Sequence, residues 1–79
     1  MNRYQRARAW REAHGLSRAQ LAARTGWSPE AIYWFEEGHK PPRPGDRKYR
    51  EIEDWVFTRY RLACAGVEHE LKTGKVFNW

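Results

Sequence analysis

The chain has 79 residues, with 15 lysines and arginines against 10 aspartates and glutamates, and a formal net charge of +5. That length holds one small domain over 1–79, and its core needs help from aromatic packing or from a partner subunit. The single cysteine, Cys64, excludes an internal disulfide, no zinc-ligand spacing is present, and no apolar run fits a signal peptide or membrane span; a reducing cytoplasm is the expected setting.

In chain order, a first helix is expected from about Asn2 to His14, stopped by Gly15. Ser17 with Gln20 three residues later forms a capping box, which opens a second helix over Ser17–Thr25. Leu21 and Ala22 give that helix an inward face, and Gly26 ends it where a positive φ costs nothing. Ser28 caps a third helix over Pro29–Glu37, with Pro29 at the first position, where its missing N–H is harmless. Ile32 and Phe35 share its inward side. The stretch His39-Lys40-Pro41-Pro42-Arg43-Pro44-Gly45 cannot be helical. Asp46 is the expected cap of a long fourth helix, because apolar residues then fall at 49, 52, 56, 60, 63, 67 and 71. Gly66 is expected to break this stripe into a fourth helix over Asp46–Ala65 and a fifth over Val67–Thr73. No strand pattern is visible.

The segment Leu16 to Gly38 thus reads as helix, glycine turn and helix, the helix-turn-helix spacing in which the second helix commonly enters the DNA major groove. It resembles the phage repressor/Cro-like (XRE) regulators. Ala22, Gly26, Ile32 and Phe35 stand where that family keeps a small residue, the turn glycine and two core apolars. Upstream, Ala7, Trp10, Arg11 and Gly15-Leu16 match the family's first helix and its stop; downstream, Phe35-Glu36-Glu37-Gly38 matches its ending. The similarity covers residues 3–42. It implies an all-α, lambda-repressor-like helix-turn-helix domain of about five helices with the fourth long. Within it lie a helix-turn-helix unit at 17–37 and a C-terminal helical, dimer-forming segment at 46–79. Trp27, beside the turn, is expected in the core.

Charge and helix faces divide the labour. Residues 1–24 carry six arginines against Glu12 alone, whereas residues 25–45 are net −1 and the remainder net +1. Next to a helix-turn-helix, such a basic surplus reads as phosphate binding. On the third helix, Glu30, Tyr33, Trp34 and Glu37 point away from Ile32 at about 100° per residue. The expected base readers are Ser28, Pro29, Glu30, Tyr33 and Trp34, although a buried, structural Trp34 is the competing reading. The resemblance implies phosphate contacts from Arg18, at the second helix's start, and from His39, Lys40 and Arg43 in the following loop. Arg3, Arg6 and Arg8 are expected to add an arm along the backbone or minor groove. It also implies a structural ion pair between Arg11 and Glu36.

Trp55 and Leu62, seven residues apart and off the main stripe, form either a dimer seam or a surface under the proline loop or tail. The apolar tail, with Val76, Phe77 and Trp79, is expected to fold back on its own domain or onto a second subunit. The functional expectation is a sequence-specific DNA-binding regulator, a dimeric repressor of phage or mobile-element type. It would occlude a promoter by inserting the third helix at a pseudo-palindromic double-stranded operator. The alternative is a protein-interaction module, an antitoxin or inhibitor, using the aromatic and acidic face of that helix. No enzyme activity, cofactor, metal, membrane or small-molecule ligand is expected. Glu51, Glu53 and Asp54 read as exposed ion-pairing partners, and Cys64 as a small buried thiol.

Overall fold

Helix starts and stops follow from side chains placed at their ends. In the computed structural model, which describes residues 1–76, there are four helices: α1 (Arg3–Ala13), α2 (Arg18–Thr25), α3 (Pro29–Glu37) and α4 (Asp54–Thr73). Asn2 and Gln5 form a reciprocal capping box at α1, each backbone N–H donating to the other's side chain at 2.9 Å. Ser17 and Gln20 do the same at α2, at 2.8 and 3.0 Å. At α3 the Ser28 hydroxyl accepts from Ala31 N–H at 3.0 Å, and Pro29 fills the first turn. Such caps satisfy donors that the helix itself leaves orphaned.

α3 packs against both α1 and α2, and α4 lies along α2. Leu21 and Ile32 are fully buried at the centre, joined by Phe35, Ile52, Phe57, Tyr60 and Val67. The aromatic rings supply much of the cohesion. Phe35 stacks on Tyr60 with centroids 4.5 Å apart, and Trp27 meets Phe35 edge-on at 5.1 Å. Trp27, expected in the core, is half-buried at its margin and packs against it. Each large apolar side chain buried this way is worth about 1.5–3 kcal/mol. Arg3 pins the start of α1 to α4: it donates to Asp54 at 2.7 Å and lies over the Phe57 ring at 4.8 Å.

Two expectations about the C-terminal half are corrected. The fourth helix does not begin at Asp46. Arg43 to Asp46 form a turn, with Pro44 second, Gly45 at φ 87° and Asp46 N–H donating to the Arg43 carbonyl at 2.9 Å. Lys40 and Arg50 then exchange backbone hydrogen bonds at 2.7 and 3.2 Å, an isolated antiparallel bridge. Residues 40–50 thus close on themselves like a hairpin, and a helix through Tyr49 would lose that bridge. Ile52 still reaches the core, but from extended chain, and Tyr49 is left outward. Nor does Gly66 interrupt α4, which runs on to a left-handed Gly74 at φ 68°. One helical glycine costs only about 1 kcal/mol against alanine. Here Val67 is buried beyond it, and Glu68 accepts a hydrogen bond from the Trp10 indole of α1 at 3.3 Å. There are therefore four helices rather than five among the described residues, none long and apolar enough to cross a membrane.

Gly38 marks the closest approach of α1 to α3. It has φ 87°, and a Cβ built there would sit 2.8 Å from the Tyr4 ring. Gly26 has a comparable φ of 83° with open space around it. Gly38→Ala is expected to lower unfolding free energy by about 1–3 kcal/mol, and by more than Gly26→Ala, in paired urea titrations.

Candidate nucleic-acid interface

A buried carboxylate holds the three N-terminal helices in register. Glu36, on the inner edge of α3, receives Arg11 from α1 through Nε at 2.6 Å and Nη2 at 3.0 Å. Both side chains are nearly buried, at 9% and 1% exposure. Arg18, at the first position of α2, reaches the same carboxylate at 3.1 Å. Arg11 also donates to the Leu16 carbonyl at 2.8 Å, which fixes the turn between α1 and α2. The hydrogen bonds to Glu36 push the Arg11 guanidinium above its ordinary range. A two-pronged fork with a second arginine is what makes so buried a charge tolerable.

The opposite face of α3 is open. Pro29, Glu30, Tyr33 and Glu37 are exposed, and Ser28 is exposed while serving as cap. Arg18 lies over the Tyr33 ring at 5.2 Å, so its guanidinium is shared between the buried carboxylate and this outer face. Trp34 departs from the outward placement. It is half-buried beside the proline loop, its ring 5.3 Å from His39 and 6.1 Å from Tyr49. Its indole N–H is enclosed without a hydrogen-bond partner among the described residues. Trp34 lies away from Ile32 as helical spacing predicts, but the loop folds over that side of the helix.

The hairpin-like loop carries Arg43, expected on phosphate, together with two cations that the expected fourth helix hides. Arg43, Arg47 and Lys48 are exposed and have no ion-pair partner among the described residues. A fourth helix from Asp46 would include Arg47 and Lys48; the signal for a loop is the Pro44-Gly45 pair just before them. Two loop residues expected on phosphate are occupied internally. His39 packs at a tilt against Tyr49 with centroids 4.1 Å apart, and Lys40 holds Glu53 with both carboxylate oxygens at 2.7 Å. That contact lowers the Glu53 carboxyl below its usual range.

A helix-turn-helix with an exposed second helix, Arg18 over its Tyr33 and a loop bearing exposed cations packed on its Trp34 suits docking on DNA. The model of a helix-turn-helix domain family matches residues 5–51. The chain belongs to that family. No curated protein and no solved structure matches it. The matched span takes in α1, α2, α3 and the loop, and stops short of α4. For this helix-turn-helix protein the coarse assignment is accordingly a DNA-binding regulator, as the phage repressor/Cro-like resemblance implies.

The remaining residues expected at the site are dispersed. Arg3, Arg6 and Arg8 form no arm, because α1 is already helical at Arg3. Arg3 and Arg6 border an apolar cleft of about 340 Å³ between α1 and α4, with Phe57 and Cys64 among its walls. Arg8 instead pairs with Glu12 at 3.6 Å on the side of α1 facing the end of α3. Trp55, Leu62 and Val76 are exposed. Phe77 and Trp79 lie outside the described residues. Burial pushes the Cys64 thiol up, which keeps it protonated and unreactive.

Two outcomes follow from these contacts. Glu36→Ala strands two arginines and is expected to cost about 3–5 kcal/mol in thermal or urea unfolding, most of what a domain of this size has. In a carboxyl-carbon NMR titration, Glu53 is expected to ionise below the ordinary glutamate range. The contribution of its pair to stability is present at neutral pH and is lost as pH falls through that lowered value; Lys40→Met returns the midpoint to the ordinary range.

Proposed function

We propose that this protein is a sequence-specific transcriptional regulator on a lambda-repressor-like scaffold. It acts as a dimeric repressor of phage or mobile-element type, docking α3 in the major groove and occluding a promoter. The whole of 1–79 forms one domain, in which 17–37 is the reading unit and 46–79 joins the subunits. The observation that carries the reading is an exposed face of α3 with Arg18 over Tyr33 on it and, packed on Trp34 through His39 and Tyr49, a loop that bears further exposed cations. Arg18 lies at the N-terminus of α2, where free N–H groups also favour an anion, and Arg43, Arg47 and Lys48 lie on the loop.

On DNA, these four cations sit on phosphates, with His39 and Lys40 beside them and Arg3, Arg6 and Arg8 contributing from α1 at longer range. The readers are Ser28, Pro29, Glu30 and Tyr33, with Trp34 supporting the loop and presenting only its outer edge. A Glu30 carboxylate accepts from cytosine N4, and the Tyr33 ring meets a thymine methyl. No bidentate reader of guanine or adenine is present among them, so affinity leans on the phosphates. Two subunits read a pseudo-palindrome with half-sites about one helical turn apart.

A second reading rests on the acidity of that face, where Glu30 and Glu37 flank Tyr33: a protein partner, as for an antitoxin or inhibitor, would replace DNA. Binding to a labelled random-sequence duplex across a salt series separates the two. About six phosphate contacts give a log–log slope near −5, and neutralising Arg43, Arg47 or Lys48 flattens it by about 1 each. Absence of binding at low salt would favour the protein partner. Selection of bound duplexes from a random pool then gives the operator and its symmetry.

A further inference from the structure

The side of α4 turned away from the core is largely open among the described residues. Trp55 and Leu62 are 62% and 56% exposed there. At helical periodicity Trp55, Leu62, Gly66 and Thr73 fall in one strip about 40° wide, with Arg59 and Glu70 together on one flank of it. Gly66 is helical without a positive φ, and a Cβ built on it would meet nothing within 4 Å. The described fold therefore gives no reason for a glycine, and alanine would favour the helix by about 1 kcal/mol. Gly66 also borders a cleft of about 500 Å³ shared with His69, Glu70, Lys75 and Val76. Knob, gap and charges lie on one face.

We propose that a second copy of this chain docks on this face with the two α4 helices antiparallel. Leu62 of each protomer seats over the partner's Gly66, and Arg59 of each faces the partner's Glu70. The inference rests on the dimeric reading above and gives it a geometry. Neither Arg59 nor Glu70 has an ion-pair partner among the described residues. In a parallel pair the like flanks fall on opposite sides of the seam, so Arg59 and Glu70 of one protomer would not meet those of the other. In an antiparallel pair the like flanks meet, and the reversed direction sets each Arg59 opposite the partner's Glu70. The register that seats Leu62 on the partner's Gly66 also overlays the two helices along nearly their whole length of about 30 Å. In that register Trp55 of one protomer covers the other end of the partner's helix, near the partner's Thr73. The contact is isologous, as a closed dimer requires.

Sedimentation equilibrium on the full chain tests this. The wild type is expected to dimerise. Arg59→Glu and Glu70→Arg should each weaken the dimer by about tenfold or more, and the chain carrying both should return to near wild-type affinity. Gly66→Leu should be monomeric while keeping its helical circular dichroism and melting temperature, since the position is open in the monomer. A dimer of unchanged affinity in Gly66→Leu and in both single reversals would overturn this geometry and leave the dimeric reading standing. A wild type that stays monomeric at high concentration, alone and on DNA, would overturn both.

Discussion

One carboxylate governs the geometry of the reading unit. Glu36 sits where α1, α2 and α3 meet, and the arginines of the first two helices converge on it. The angle between α2 and α3 is therefore set by directional bonds as well as by the apolar contact of Leu21 with Ile32 and Phe35. Apolar packing alone tolerates small rotations of a helix, whereas a fork of two hydrogen bonds does not. A recognition helix has to present side chains at fixed height and angle to base edges. Placing an ion pair behind it, in a core too small for redundancy, secures the orientation at the cost of burying charge.

The outer face of α3 and its surroundings follow different chemistry. The face is acidic and aromatic, while the flanks are cationic. Arg18 belongs to both halves, since its guanidinium touches the buried carboxylate and covers Tyr33. Phosphate binding at that arginine would thus be felt by the pair that orients α3. The loop contributes independently, through residues whose side chains have no internal engagement.

Much of the fold was legible because it is written in local signals. Ser17 with Gln20, Ser28 with Pro29, and glycines at 26 and 38 each fix a helix end by short-range sterics and hydrogen bonding, and the first three helices begin and end within a residue or so of expectation. Non-local contacts decided the places where the reading failed. The apolar period from Tyr49 onward looked continuous, yet the Lys40–Arg50 bridge and the Pro44-Gly45 turn hold that stretch extended. Trp34 was given its correct helical angle, and the folding of a loop over it has no signature in spacing. At Gly66 the helix-breaking cost is local, while the contacts that carry the helix past it, Val67 and the Trp10–Glu68 bond, are not. Of the site, the motif positions were visible; the basic residues at 47 and 48 were hidden by their assignment to a helix.

The loop from Lys40 to Arg50 has a thermodynamic consequence. Three prolines, a closing bridge, the Arg50 guanidinium on the Pro41 carbonyl at 3.0 Å and the Lys40–Glu53 pair restrict it before any ligand arrives. Proline also narrows the unfolded ensemble, so the entropy of ordering this segment is settled when the chain folds. A flexible basic loop would surrender that entropy at each encounter with a phosphate backbone. Here the cations at 43, 47 and 48 arrive on a frame already set, and more of their electrostatic attraction is left to appear as affinity.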